Sequence, residues 1–165
     1  MSHRVLDAPK TAWRIGDPDG EFPIWDDGGA RRAEGRWHRT GSGVIYASLN
    51  YSTAMLEKLV HYSGVLPKGQ HFIEITIPQG TSYEVFSEAH HPAWADRDGT
   101  DARVFGDAWL RERSSAILIV PSVVARMERN VIFNTAHPDF GTITTGLEVP
   151  VWWDDRLFAR YQHKV

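Results

Sequence analysis

The sequence contains no cysteine and no apolar stretch that approaches the length of a membrane-spanning helix. Without cysteine there is no disulfide, no thiolate nucleophile and no cysteine-ligated zinc. A membrane helix needs about 20 consecutive apolar residues. The first residues, Met1 to Arg4, lead into no apolar segment typical of a secretion signal. We therefore expect a protein of the reducing cytoplasm that has no membrane partner.

The sequence also lacks a basic character and the common nucleotide-binding motifs. Its net charge is −3, with no long run of lysine or arginine, whereas nucleic-acid binders usually carry a basic face. There is no Walker A loop and no Gly-x-Gly-x-x-Gly after a predicted strand. His90, His91 and His137 have no spacing that specifies a metal site. We expect neither direct nucleic-acid binding nor a bound metal.

What remains is the composition of an ordinary globular domain. The chain has 165 residues, of which 42% are hydrophobic and 24% charged, so a single domain over residues 1–165 is expected. Residues 16–43, rich in glycine and charge, predict a long surface loop. Short apolar or alternating runs predict strands. These strands cover Thr11–Ile15, Val44–Ala47, His71–Ile77, Tyr83–Phe86, Ala116–Val120 and Asn130–Asn134.

Two segments have helical periodicity. The first begins at Asn50 or Ser52 and runs to about Tyr62, and the second covers Asp101–Arg113. The residues expected to face inward are Met55, Leu56, Leu59 and Val60 in the first helix, and Val104, Phe105, Ala108 and Trp109 in the second. Few helices among short strands, without regular alternation, predict an α+β fold with a central sheet.

Four polar side chains stand out against this background. Arg14 lies between apolar strand positions, where a guanidinium needs a partner. Arg36 follows a glycine in a loop, and arginine suits bidentate contact with phosphate. Tyr46 lies in a predicted strand, and Glu57 lies in the helix that follows that strand. Pattern alone leaves ordinary surface or rim positions open for Arg36, Tyr46 and Glu57. If they converge, they suit a site that binds a phosphorylated sugar and stabilises positive charge on it.

These residues belong to an ordered set of motifs that resembles RES-domain proteins, the toxin half of RES–Xre type II toxin–antitoxin systems. The motifs extend along nearly the whole chain in order. They are Trp13-Arg14-Ile15, the segment Gly29 to Trp37, Val44 to Ser48, Ala54 to Glu57, Gly106 to Leu110, Val120-Pro121-Ser122, Asn130 to Asn134, His137 to Phe140, and Asp155-Arg156-Leu157. Two positions depart from the pattern: His38 stands where asparagine is usual, and Thr135 stands where proline is common.

The resemblance implies an ADP-ribosyltransferase-like fold and an enzyme that consumes NAD without a metal, either transferring ADP-ribose to a protein target or degrading NAD. It implies an Xre-type helix-turn-helix antitoxin as partner. The implied catalytic residues are Glu57, Tyr46 and Arg36. The residues implied to bind NAD are Arg14, Arg36, Tyr46, Ser122 and Asn134.

Several alternatives stay open at this point. Ser114 or Ser115 could take the place of Ser122 as the functional serine. The acceptor of ADP-ribose could be water, phosphate or a protein. A non-catalytic nucleotide-binding or protein-interaction module is the main alternative to an enzyme, and RNA cleavage is disfavoured because the basic surface it requires is absent.

Overall fold

The computed structural model describes residues 4–158, so the two ends of the single domain expected over 1–165 lie outside the described residues. Three α-helices and nine short strands are present in that part of the chain. The helices are α1 (Gly28–Arg32), α2 (Tyr51–His61) and α3 (Thr100–Glu112). The strands are β1 (Arg4–Val5), β2 (Lys10–Gly16), β3 (Val44–Ser48), β4 (His71–Ile77), β5 (Ser82–Val85), β6 (Ile117–Pro121), β7 (Arg129–Asn134), β8 (Thr144–Thr145) and β9 (Val149–Pro150).

The described strands form one mixed sheet in the order β1-β5-β6-β7-β3-β2-β4-β8, with β9 also paired to β4. Only the β5–β6 pair is parallel among the strand pairs of residues 4–158. The middle of the sheet is β6-β7-β3-β2, and β7 pairs with β3 so that Tyr46 lies opposite Ile132. All six strands that the sequence predicts are present, which confirms the α+β class.

Alternating residues of the central strands build two separate cores, one on each face of the sheet. Ile117 and Ile119 of β6 belong to the first core, together with Val131 and Phe133 of β7. Leu118 belongs to the second core, which also contains Ile132, Val44, Trp37, Trp94 and Trp109. Because β6 is buried at every position, its continuous apolar sequence follows from cover on both faces.

Helix α3 packs on the second core through small and aromatic residues. Ala102, Gly106 and Trp109 are buried, whereas Val104 is 53% exposed, so the prediction that Val104 faces inward is wrong. The helix approaches the backbone of Trp37 so closely that a Cβ at Gly106 would overlap the Trp37 carbonyl oxygen. This close approach selects which side of α3 turns inward, and apolar periodicity alone does not reveal it.

The apolar stripe predicted for α2 is wrong at two of its four positions, since only Met55 and Leu59 are half-buried. Leu56 and Val60 are exposed, while the buried residues of the helix are Thr53 and Ala54. The helix lies against β2 and β3 near a polar cleft rather than over a hydrophobic core. Its inward side therefore carries small and polar residues.

The segment 16–43 is not only a surface loop. It contains α1, and it contributes Ile24, Trp37 and His38 to the buried interior. These buried residues hold the glycine-rich segment against the sheet, so that it forms one wall of the cleft. No helix within residues 4–158 is long and apolar enough to cross a membrane.

Candidate active site

A cleft of about 490 Å³ brings together the four polar residues that the sequence marks. Arg14 reaches it from β2, Tyr46 from β3, Glu57 from α2, and Arg36 from the loop after α1. These residues are far apart in the sequence, and the pairing of β2 with β3 and the packing of α2 on both strands place them around one space. Arg36, Tyr46 and Glu57 do converge.

Helix α2 presents Glu57 to the cleft because Ala54, Glu57, Lys58 and His61 share its inward side. This spacing of i, i+3, i+4 and i+7 defines one helical face. Half-buried Glu57 is therefore not a residue of the solvated side. Its neighbours Lys58 and His61 also line the cleft, and the sequence analysis missed them although the same spacing indicates them.

The carboxylate of Glu57 is fixed through one of its oxygens. Oε1 accepts a hydrogen bond from Ser122 Oγ at 2.8 Å and another from Asn130 Nδ2 at 2.7 Å. Asn130 is itself held, because its Oδ1 accepts from Ser48 Oγ at 2.7 Å. Within residues 4–158, Oε2 of Glu57 has no hydrogen-bond partner. The network thus orients a carboxylate whose second oxygen is available to a ligand.

Of the three serines that the sequence leaves open, Ser122 is the one that contacts Glu57. It is fully buried and its Oγ also accepts the backbone N–H of Ala125 at 3.0 Å. Ser115 lies in the core, where its hydroxyl accepts from Trp109 Nε1. Ser114 donates to Glu84 on another part of the sheet. Ser122 does not itself line the cleft, so the structure places it behind Glu57, and its predicted role as the functional serine stays a prediction.

The guanidinium of Arg14 is half-buried, and among residues 4–158 it forms no salt bridge with a carboxylate. Its Nε donates to the carbonyl oxygen of Ile24 at 2.6 Å, and its Nη1 donates to that of Tyr46 at 2.8 Å. Burial lowers the pKa of Arg14 to about 10, and the negative charge of Asp26 offsets only part of this lowering. The guanidinium remains charged at neutral pH, and carbonyls satisfy only part of its donors. An anion in the cleft would balance its charge.

Two further cations stand beside Arg14. Arg36 is anchored by its Nη1, which donates to the carbonyl oxygens of Trp94 at 2.9 Å and Asp96 at 2.7 Å. Burial lowers the pKa of Lys58, and the positive charge of Arg14 lowers it further. Three cations therefore line the cleft with one carboxylate. This balance favours a ligand that carries more than one negative charge.

Tyr46 lines the cleft from β3, and its hydroxyl is held by the loop that carries Arg36. The oxygen accepts the backbone N–H of Trp37 at 3.2 Å and lies 2.7 Å from Nδ1 of His38. Burial raises the pKa of Tyr46 above its usual range, so the residue is a neutral hydroxyl. Gly35 allows this contact, because a Cβ there would lie 2.8 Å from the His38 ring and 3.0 Å from the Tyr46 oxygen.

The structure does not bring Asn134 to this cleft. It lies at the other end of β7 from Asn130, and four residues of strand span about 13 Å. It faces a smaller hollow that is also lined by Arg31, Arg111 and Arg113. Asn130 contacts Glu57 instead, so the predicted NAD-binding role of Asn134 stays a prediction that the lining of this cleft does not support. Both asparagines belong to the same motif, and the motif alone does not tell which end of the strand meets α2.

Among residues 4–158, no group of three or more His, Asp or Glu side chains is arranged to hold a metal ion. The side chains that line the cleft are instead suited to polar and anionic organic groups: arginine and lysine for phosphates, and a carboxylate and a phenol for hydroxyls.

Comparison with known proteins places the chain in a family. Residues 11–154 match the RES domain. The chain is 34% identical over 134 residues to the "Prs ADP-ribosylating toxin" of Sphingobium sp., covering 77% of this chain and 83% of that protein. It is 33% identical over 113 residues to a "Toxin Res" of Pseudomonas putida, covering 67% of this chain and 77% of that protein.

A solved structure supports the fold independently. The crystal structure of the Mycobacterium tuberculosis MbcT–MbcA toxin–antitoxin complex contains a chain that matches with a TM-score of 0.67 at 13% identity, covering 88% of this chain and 85% of that one. The match confirms the predicted α+β fold. Since the family match extends over most of the chain and both relatives exceed 30% identity, this chain belongs to the RES domain family.

Proposed function

We propose that this chain cleaves the bond between nicotinamide and ribose in NAD and passes the ADP-ribose group to an acceptor. The observation that carries this proposal is the position of the Glu57 carboxylate, fixed by Ser122 and Asn130 in a cleft that also holds Arg14 and Arg36. NAD combines a diphosphate with a ribose that develops positive charge when its base departs. The cations and the carboxylate match these two parts of the molecule.

The chemistry assigns Glu57 to the reacting ribose. When the C–N bond breaks, its electron pair leaves with nicotinamide and the ribose becomes oxocarbenium-like, as in glycoside hydrolysis. Oε2 of Glu57 accepts a hydrogen bond from a ribose hydroxyl, and the carboxylate stabilises the charge that forms. This interaction strengthens in the transition state and therefore accelerates the reaction. The acceptor then bonds to the ribose carbon and loses a proton.

The cations serve to hold the diphosphate. Arg14 and Arg36 are each anchored by two backbone carbonyls, so little side-chain freedom is lost when they bind phosphate oxygens. Lys58, next to Glu57 on α2, adds a third contact. Holding the diphosphate keeps the nicotinamide ribose at Glu57, where Tyr46 contacts it as well.

We further propose that the protein acts as the toxin of a toxin–antitoxin pair in the cytoplasm. Support comes from the relatives named as toxins and from the solved toxin–antitoxin complex of the same fold. An Xre-type antitoxin would cover the cleft and keep NAD out. The name of the Sphingobium relative favours a protein as the acceptor of ADP-ribose, with water and phosphate as the other acceptors.

The test is an analysis of products from purified, antitoxin-free protein incubated with NAD. Mass spectrometry would follow nicotinamide and the ADP-ribose group in buffer, in buffer with phosphate, and in buffer with a bacterial lysate. We expect nicotinamide in every reaction that contains the right acceptor, together with free ADP-ribose, its phosphorylated form or an ADP-ribosylated protein. Folded protein that leaves NAD intact in all three conditions would instead indicate a non-catalytic binding module.

A further inference from the structure

The ring of His38 is buried beside the cleft and makes polar contacts at both nitrogens. Only 2% of the residue is exposed. Nε2 lies 2.9 Å from the carbonyl oxygens of both Ala30 and Ala33. Nδ1 lies 2.7 Å from the hydroxyl oxygen of Tyr46. His38 is not among the residues that line the cleft, so its influence on a ligand passes through Tyr46.

The two carbonyls determine which ring nitrogen carries the hydrogen. A carbonyl oxygen only accepts hydrogen bonds, so Nε2 must be the N–H of the ring. In a neutral imidazole the other nitrogen then has a bare lone pair. Nδ1 is therefore an acceptor, and the hydrogen between it and Tyr46 belongs to the tyrosine. The direction of this bond follows from the environment of His38.

A doubly protonated ring does not suit this position. His38 has no carboxylate within ion-pair distance in the described part of the chain, and it is nearly fully buried. Burying an imidazolium without a carboxylate partner is unfavourable. The neutral ring with hydrogen on Nε2 is the form that fits.

We propose that His38 is a positioning residue that sets the direction of the Tyr46 hydroxyl, a role that rests on the proposed function of the cleft. The Tyr46 hydrogen points to His38, and one lone pair of the oxygen accepts the N–H of Trp37. The remaining lone pair is left for the cleft. Tyr46 therefore accepts a hydrogen bond from a ribose hydroxyl of NAD and does not donate one.

Two substitutions at His38 separate this role from simple packing. His38→Asn offers a carbonyl oxygen near the position of Nδ1 as acceptor for Tyr46. His38→Leu fills similar space without any acceptor, so the Tyr46 hydrogen loses its fixed direction. We expect His38→Leu to lower kcat for NAD cleavage about tenfold, as for one lost oriented hydrogen bond. We expect His38→Asn to stay within about threefold of the parent protein, with KM for NAD within about threefold in both.

A double-variant cycle provides the sharper comparison. If His38 acts through the hydroxyl of Tyr46, adding His38→Leu to Tyr46→Phe costs no further activity. A residue that only supports packing would lower activity independently of that hydroxyl. Costs in kcat that multiply in the His38→Leu/Tyr46→Phe protein would overturn the proposal. Melting temperatures of all variants show whether each one is folded.

A measurement on the unsubstituted protein keeps the proposal testable even if a variant fails to fold. The ¹⁵N chemical shifts of the His38 ring report which nitrogen carries the hydrogen. We expect the Nε2–H form, and a hydrogen found on Nδ1 would overturn the proposal. This reading does not depend on NAD turnover. An inactive protein with the expected ring form would therefore count against the proposed function and not against the geometry of the His38–Tyr46 pair.

Discussion

Replacing Glu57 by glutamine removes the negative charge from the cleft while keeping the shape and most hydrogen bonds of the side chain. The amide oxygen of the new side chain can still accept the donors from Ser122 and Asn130, which both bind the same oxygen of Glu57. The amide nitrogen then occupies the place of Oε2. We therefore expect little change in stability, and any loss of activity reports the charge of the carboxylate together with the hydrogen bond that Oε2 accepts.

The size of the expected loss follows from the electrostatic role that we propose for Glu57. A full positive charge about 4 Å from a carboxylate is stabilised by about 4 kcal/mol near a protein surface. A barrier higher by about 4 kcal/mol corresponds to a rate about 10³-fold lower. Because the ribose carries this charge in the transition state and not in bound NAD, the loss should fall on kcat much more than on KM.

The assay compares steady-state nicotinamide release by the parent protein, Glu57→Gln and a matched control, Glu112→Gln. Glu112 is exposed at the end of α3 and does not line the cleft. The control should retain full activity, and all three proteins should melt within a few degrees of each other. Turnover by Glu57→Gln at the level of the parent protein would refute the role assigned to this carboxylate.

Three further changes test other parts of the account. Arg14→Met should weaken ADP-ribose binding, measured by calorimetry, at least about tenfold, whereas Lys10→Met at the exposed start of the same strand should not. Gly106→Ala should lower the free energy of unfolding, measured in urea, by about 3 kcal/mol, because the new methyl group overlaps the Trp37 backbone. The control Gly29→Ala should be nearly neutral, because a Cβ at Gly29 has no atom within 4 Å. A hydrogen bond from Arg31 holds the pKa of Asp27 below its usual range, assisted by Thr135. Asp27→Asn should therefore cost about 1 kcal/mol at pH 7. This difference should shrink as the pH falls below about 4, where the unfolded chain takes up a proton at Asp27 first, and it should disappear only below the lowered pKa of the folded state.

The sequence predicts the strands of this fold well because their patterns are local. The alternation of His71 to Ile77 and the continuous apolar run Ile117 to Val120 each reflect how many faces of the strand are covered. The α+β class follows from the order of such segments. These features depend on neighbours along the chain and can be read without knowing the partners.

The orientation of the two longer helices could not be read in the same way. Leu56 and Val60 form the most apolar side of α2, yet the helix turns Ala54 and Glu57 inward. Val104 is exposed because Gly106 is the residue that fits against Trp37. In both cases a contact with a distant segment outweighs local periodicity. The side of each helix that faces inward therefore depends on which side chains fit against that segment.

In the candidate site, too, some features follow from local sequence and others depend on distant contacts. Arg14 stands out in the sequence because a charge interrupts an apolar strand, and the structure provides carbonyl partners for it. Asn130 gives no such signal, since its importance comes from Glu57, 73 residues away. Nor does the sequence reveal that His38 adjoins Tyr46. Residue types suggest the chemistry of a site, whereas tertiary contacts decide which of two similar residues takes part.

The central claim is that this cleft releases nicotinamide from NAD, and proton NMR of a single reaction tests it most directly. Purified antitoxin-free protein is mixed with NAD and a bacterial lysate, and the resonances of bound and released nicotinamide are followed over time. We predict that nicotinamide appears in equal amount to the NAD lost, and that Glu57→Gln abolishes nearly all of the release above that of lysate alone. NAD that decays no faster with the folded protein than with lysate alone would contradict the account.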